Sequence, residues 1–71
     1  MKIISLNFRH LRAFKETAQL HSVKAAAENI FLTQSAVTQA IARLETYLGM
    51  PLFLRRHNGM FLTDAGDLYL I

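Results

Sequence analysis

Gln34, Ser35, Thr38 and Gln39 follow one another at helical spacing, and none of them is charged. They belong to LTQSAVTQAIARLE, Leu32 to Glu45, where no charge occurs before Arg43. A solvent-facing helix is ordinarily dressed in Lys and Glu. Amides and hydroxyls do a different chemistry, offering directional donors and acceptors without a long-range field. A Gln amide pairs with an adenine edge at two atoms at once, a Ser or Thr hydroxyl gives or accepts, and the Thr methyl packs on a thymine methyl. At about 100° per residue, Ser35, Gln39, Ala42 and Thr46 fall on one outer line, with Thr38 beside them and Gln34 in the first turn. An ordinary solvated surface would use the same residue types, so the reading depends on what surrounds them.

The cations stand elsewhere. Lys24 follows the start of an earlier helix, whose free N–H groups also favour phosphate. Arg55, Arg56 and His57 are consecutive. Such groups fix register on a polyanion and give salt-dependent affinity. The two arginines could equally be gatekeepers on an edge strand.

Other chemistries find little support. His10, His21 and His57 fall on separate elements and lack ligand spacing. There is no Cys, which removes disulfides and thiolate metal sites. No metal and no cofactor is therefore expected. Asp64 and Asp67 form a carboxylate pair, but acids in a helix's first turn answer the macrodipole. No nucleophile, base and acid form a set. A chain of 71 residues also buries only roughly 60% of its unfolded surface, too little for a deep pocket, so an enzyme is not expected.

The formal charge of +3 favours an anionic partner, whether nucleic acid or an acidic membrane surface. No apolar run reaches the roughly 18 residues that a membrane span needs. The start MKIISLNFRH is interrupted at Asn7 and Arg9 and is not a secretory signal. The expected setting is cytoplasmic, with no membrane partner. The apolar share, 52%, is high for this length. It implies either a tight core or apolar surface that awaits a partner.

These groups need elements to hold them. Asn7 is a suitable N-cap for a first helix. Phe8, Leu11, Phe14 and Ala18 then share a face, with Arg9, Arg12 and Glu16 opposite, and the helix ends near Leu20-His21. Ser22 caps a second helix with a small apolar face of Val23, Ala26, Ala27 and Ile30. Phe31-Leu32 is a short break. Thr33 caps a third helix that turns Val37, Ala40, Ile41, Leu44 and Leu48 inward. Gly49 and Pro51 stop it. Leu52–Arg55 and Met60–Thr63 then read as two strands. Asn58-Gly59 between them suits a type I′ turn with both central residues at positive φ. Thr63 caps a last helix.

Two helices across a tight break, with alanines on the first, make a helix-turn-helix from Val23 to Ala42. The hairpin adds a wing. The fold class is mainly α: a winged helix-turn-helix of three helices plus a two-stranded β-hairpin wing, followed by the start of a linker helix. The expected domain is 6–63, with the motif at 23–42 and the wing at 52–63. Residues 64–71 would be the start of a truncated linker or dimerisation helix. Such a frame presents its outer helix to the DNA major groove.

Three stretches then carry a resemblance: S-V-x-x-A-A-E from Ser22, L-T-Q-S-A-V-T from Leu32, and I-x-x-L-E-x-x-L-G-x-P-L-F-x-R from Ile41. L-T-x-A-G from Leu62 completes them. In order and without gaps, the chain from Leu6 onward resembles the N-terminal DNA-binding domain of LysR-type transcriptional regulators. The resemblance implies base reading by Gln34, Ser35, Thr38 and Gln39. It implies backbone or minor-groove contacts by Thr33, Arg55 and the wing tip; Lys24, Arg56 and His57 remain holding groups on the strength of their charge and placement. It implies double-stranded DNA as partner, an inverted T-N11-A arrangement in that DNA, and a homodimer through the helix after Thr63, with tetramers possible in a full-length protein. A small-molecule effector would act only through a C-terminal domain absent from this sequence. The competing class is a winged-helix protein-interaction module, which the basic wing and uncharged amide face disfavour.

The chain departs from the family pattern. Gln39 stands where Arg or Lys is common, Ala25 where a basic residue is frequent, and Asn58 and Phe61 where the wing often carries one. Thr38 replaces the usual Ser. Each cation missing from the pattern takes away roughly one phosphate contact.

Overall fold

The computed structural model describes residues 8–69. Helix α1 spans Phe8–Leu20, α2 Val23–Asn29 and α3 Gln34–Leu48. Strands β1, Phe53–Arg56, and β2, Gly59–Leu62, pair antiparallel, and α4, Asp64–Tyr69, follows. The expected winged helix-turn-helix is therefore present.

The caps are chemical. Ser22 Oγ accepts from the Ala25 amide at 3.0 Å, and Thr33 Oγ1 from the Ala36 amide at 3.0 Å. Gly49 ends α3 in the left-handed region at φ 76°. Thr63 Oγ1 accepts from the Gly66 amide at 2.9 Å and donates to the Pro51 carbonyl at 2.8 Å, tying α4 to the entry of the hairpin. Asn7, the expected cap of α1, lies outside the described residues.

Ala13, Phe14 and Ala18 of α1, Ala27 of α2, and Val37, Ala40, Ile41 and Leu44 of α3 form one core with Leu52, Phe53 and Met60. The rings of Phe14 and Phe53 meet edge-on at 5.6 Å, which binds α1 to β1. The expected inner face of α1 needs correction. Phe8 is 88% exposed and Leu11 44%, whereas Ala13 and Thr17 are fully buried. Because α1 packs against both α2 and α3, small side chains take the close-approach positions. The larger Phe8 and Leu11 are left toward solvent. Periodicity counted their hydrophobicity, not the room available.

The hairpin also differs from expectation. Arg56 pairs with Gly59, so the tip is His57-Asn58 and not Asn58-Gly59. Neither tip residue has positive φ, so the turn is not type I′. Gly59 takes φ 140° at the head of β2, and a Cβ there would lie 2.7 Å from the His21 carbonyl oxygen. Docking of the hairpin against the helices, rather than turn preference, sets where the glycine falls. At Gly66 a Cβ would collide with the Leu52 carbonyl oxygen. That close approach explains a glycine inside α4, where propensity alone disfavours it.

Candidate nucleic-acid interface

Helix α3 is held on its inner face by Val37, Ala40, Ile41 and Leu44, all buried. Its other side is therefore fixed outward. Gln34, Ser35, Thr38, Gln39, Ala42 and Thr46 are all exposed. Among the described residues, none of the four amide and hydroxyl side chains at 34, 35, 38 and 39 is tied up in a hydrogen bond. They form a row of free donors and acceptors on a helix whose inner face is fixed.

The cations come together around that row. Lys24 on α2, Gln34 at the head of α3, and Arg55, Arg56 and His57 of the hairpin line one open hollow, floored by His21, Ser22 and Met60. Arg55 also borders a narrower crevice between α3 and β1, together with Thr38 and Ala42. Within β1 only Phe53 is buried, so Leu54, Arg55 and Arg56 stand outward. Among the described residues, no carboxylate is paired with Lys24, Arg55 or Arg56. Thr33, whose hydroxyl caps α3, is exposed beside the hollow without lining it. Ser35 and Gln39 lie on the crest of α3, outside both depressions. The arrangement is a protruding neutral polar helix flanked by unpaired positive charge.

Two residues matter more here than their sequence signal suggested. The Glu45 Oε2 accepts from the Leu52 amide at 2.7 Å and the Phe53 amide at 3.3 Å. Its backbone carbonyl also accepts from the Gly49 and Met50 amides at 2.8 and 3.2 Å. It therefore fastens the end of α3 to the beginning of the wing. The one signal in the sequence was a carboxylate four residues ahead of the Gly-x-Pro stop. His21, at the α1–α2 corner, is the second. Among the described residues no three His, Cys, Asp or Glu groups converge as metal ligands would. No helix among the described residues is long and apolar enough to cross a membrane.

This fold and this face define a winged helix-turn-helix with an outward recognition helix. Residues 8–67 match the model of the bacterial regulatory helix-turn-helix protein, lysR family, and the chain belongs to that family. It is 50% identical over 64 residues to the HTH-type transcriptional regulator GalR of Pseudomonas putida, covering 90% of this chain and 16% of the relative. The fold is similar to the DNA-binding domain in a CbnR–DNA complex, with a TM-score of 0.87 and 35% identity over 92% of this chain and 75% of that one. It is also similar to the BenM domain bound to catB site 1 DNA, with a TM-score of 0.85 and 28% identity over 90% and 72% of the two chains. The chain thus spans a small part of the curated relative's length. The family is one of transcriptional regulators.

Proposed function

We propose that this chain is the DNA-reading part of a bacterial transcriptional regulator. Helix α3 enters the major groove of double-stranded DNA and the wing lies on the backbone or minor groove. The observation that carries this reading is the uncharged, unengaged row Gln34, Ser35, Thr38 and Gln39, set beside the unpaired Lys24, Arg55 and Arg56. The row reads base edges. Lys24, Thr33, Arg55, Arg56 and His57 hold the backbone and fix register. Bases are read at the helix because a neutral amide gains nothing from the wrong base edge, whereas a cation binds phosphate at every sequence.

The functional unit is 6–63, and α4 begins a dimerisation helix. Exposed Leu68 and Tyr69, at 76% and 47%, supply the apolar surface for a homodimer. Two recognition helices would then meet the same face of the duplex about one helical turn or a multiple apart. The protein acts in the cytoplasm, is not an enzyme, and needs no metal or cofactor at this site. Any small-molecule effector would act through a region outside these residues.

The test is fluorescence anisotropy at several salt concentrations with two duplexes, one carrying an inverted T-N11-A arrangement and one scrambled. Preference for the first that persists as salt rises supports the reading. Equal binding that vanishes with salt leaves only an electrostatic binder, and absence of binding at low salt points to a protein-interaction module.

A further inference from the structure

An isolated two-stranded hairpin is marginally stable at best, so something must set the angle of the wing. Its inner edge rests on one residue of the α1–α2 corner. The Met60 amide donates to the His21 carbonyl at 3.0 Å. The His21 ring returns the bond, with Nδ1 3.1 Å from the Met60 carbonyl oxygen. A carbonyl only accepts, so Nδ1 is the donor in this bond. The imidazole thus stands in for a backbone N–H and completes a two-way pairing like that of a β-bridge.

The neighbours of Met60 make the same seat. Phe61 stacks on the His21 ring at 5.0 Å between centroids and 28° between planes. Gly59 lies so close to the His21 carbonyl that a side chain would collide with it. His21 adopts φ 57° to present both groups, a conformation disfavoured for a residue with a Cβ. Its own amide still donates to the Thr17 carbonyl at 2.8 Å. The corner is therefore continuous with α1 behind it and with Ser22, the cap of α2, ahead. Met60 is the register partner of Arg55.

We infer that His21 is a positioning residue for DNA binding: it seats the wing on the helix-turn-helix and so sets where Arg55 and Arg56 stand relative to Lys24 and α3. The inference rests on the DNA reading above for its consequence, but the seat itself is a property of the free chain.

The experiment compares His21→Gly and His21→Asn with the unaltered chain. Glycine accepts the left-handed backbone and removes the ring. Asparagine tolerates that backbone and keeps a donor. Residual dipolar couplings of the free chain report the hairpin against α3. They should fit one alignment in the unaltered chain, depart from it in His21→Gly, and largely recover in His21→Asn. Binding to the T-N11-A duplex should weaken about five- to tenfold in His21→Gly, with the log–log salt slope reduced by about one to two. The thermal midpoint should change little, because relief of the positive φ offsets the missing bond. In an Arg55→Ala, Arg56→Ala, His57→Ala background, His21→Gly should have little further effect on binding. Unchanged hairpin couplings in His21→Gly overturn the inference. So does a binding loss that tracks reduced thermal stability at constant salt slope. If the unaltered chain binds neither duplex at low salt, the DNA reading fails, while the couplings still decide whether His21 seats the wing.

Discussion

At the scale of the residue, the proposed interface divides into groups proposed to read bases and groups proposed to hold the backbone. Gln34 has an amide free to make two directed bonds and no charge to make undirected ones. Replacing it by Ala should cost about 1–3 kcal/mol on a preferred duplex and little on a scrambled one. Equal losses on both, measured by anisotropy, would remove Gln34 from base reading. Arg55 is the opposite case. It stands outward from β1, unpaired, at the meeting of the hollow and the α3–β1 crevice. Arg55→Ala should weaken both duplexes alike and lower the salt slope by about one. A loss confined to one sequence would make Arg55 a base reader.

At the scale of the element, the wing and α3 act together only if their junction is stiff. Glu45 supplies that stiffness through its carboxylate on the Leu52 and Phe53 amides. Leu52 is itself fully buried, so its amide has no easy recourse to water. Glu45→Ala should therefore destabilise the fold by about 1–3 kcal/mol, the range for leaving a buried donor unpaired. Urea unfolding would measure it, and a change within error would mean that water replaces the carboxylate. Faster hydrogen exchange at Leu52 and Phe53 should accompany the loss. The other side of the wing is fixed by Thr63, which bonds Pro51 and caps α4 with one hydroxyl. Hairpin entry and exit are thus tied to the helices at separate points.

At the scale of the whole molecule, electrostatics sets affinity without sequence. The chain carries +3 overall, and Gln39, Ala25, Asn58 and Phe61 are uncharged where the family resemblance implies cations. Gln39 and Asn58 are exposed, and Ala25 and Phe61 are half-buried. The expected result is a shallower dependence of log affinity on log salt than that of a LysR-family domain with basic residues at those four positions. The difference should be about one unit of slope for each phosphate that goes without a cation. A slope as steep as such a relative's would show that other groups neutralise those phosphates.

The sequence by itself determined the order of elements, the caps of α2, α3 and α4, and the outward polar face of α3. Those depend on local chemistry: Ser22 and Thr33 bond their own helix starts, Gly49 and Pro51 stop α3, and the apolar positions of α3 repeat with its own turn. The inward set Val37, Ala40, Ile41 and Leu44 leaves Gln34, Ser35, Thr38 and Gln39 no direction but outward. Tertiary structure decided what depends on two elements meeting. The buried face of α1 turns toward Ala13 and Thr17 because two helices press on it, and Phe8 and Leu11 yield their places. The hairpin tip falls at His57-Asn58 because Gly59 must pass beneath the His21 carbonyl. Glu45 and His21 became anchors only when Leu52 and Met60 arrived beside them. A periodicity weighs each residue against its own helix or strand; it contains no term for the neighbour that closes the gap.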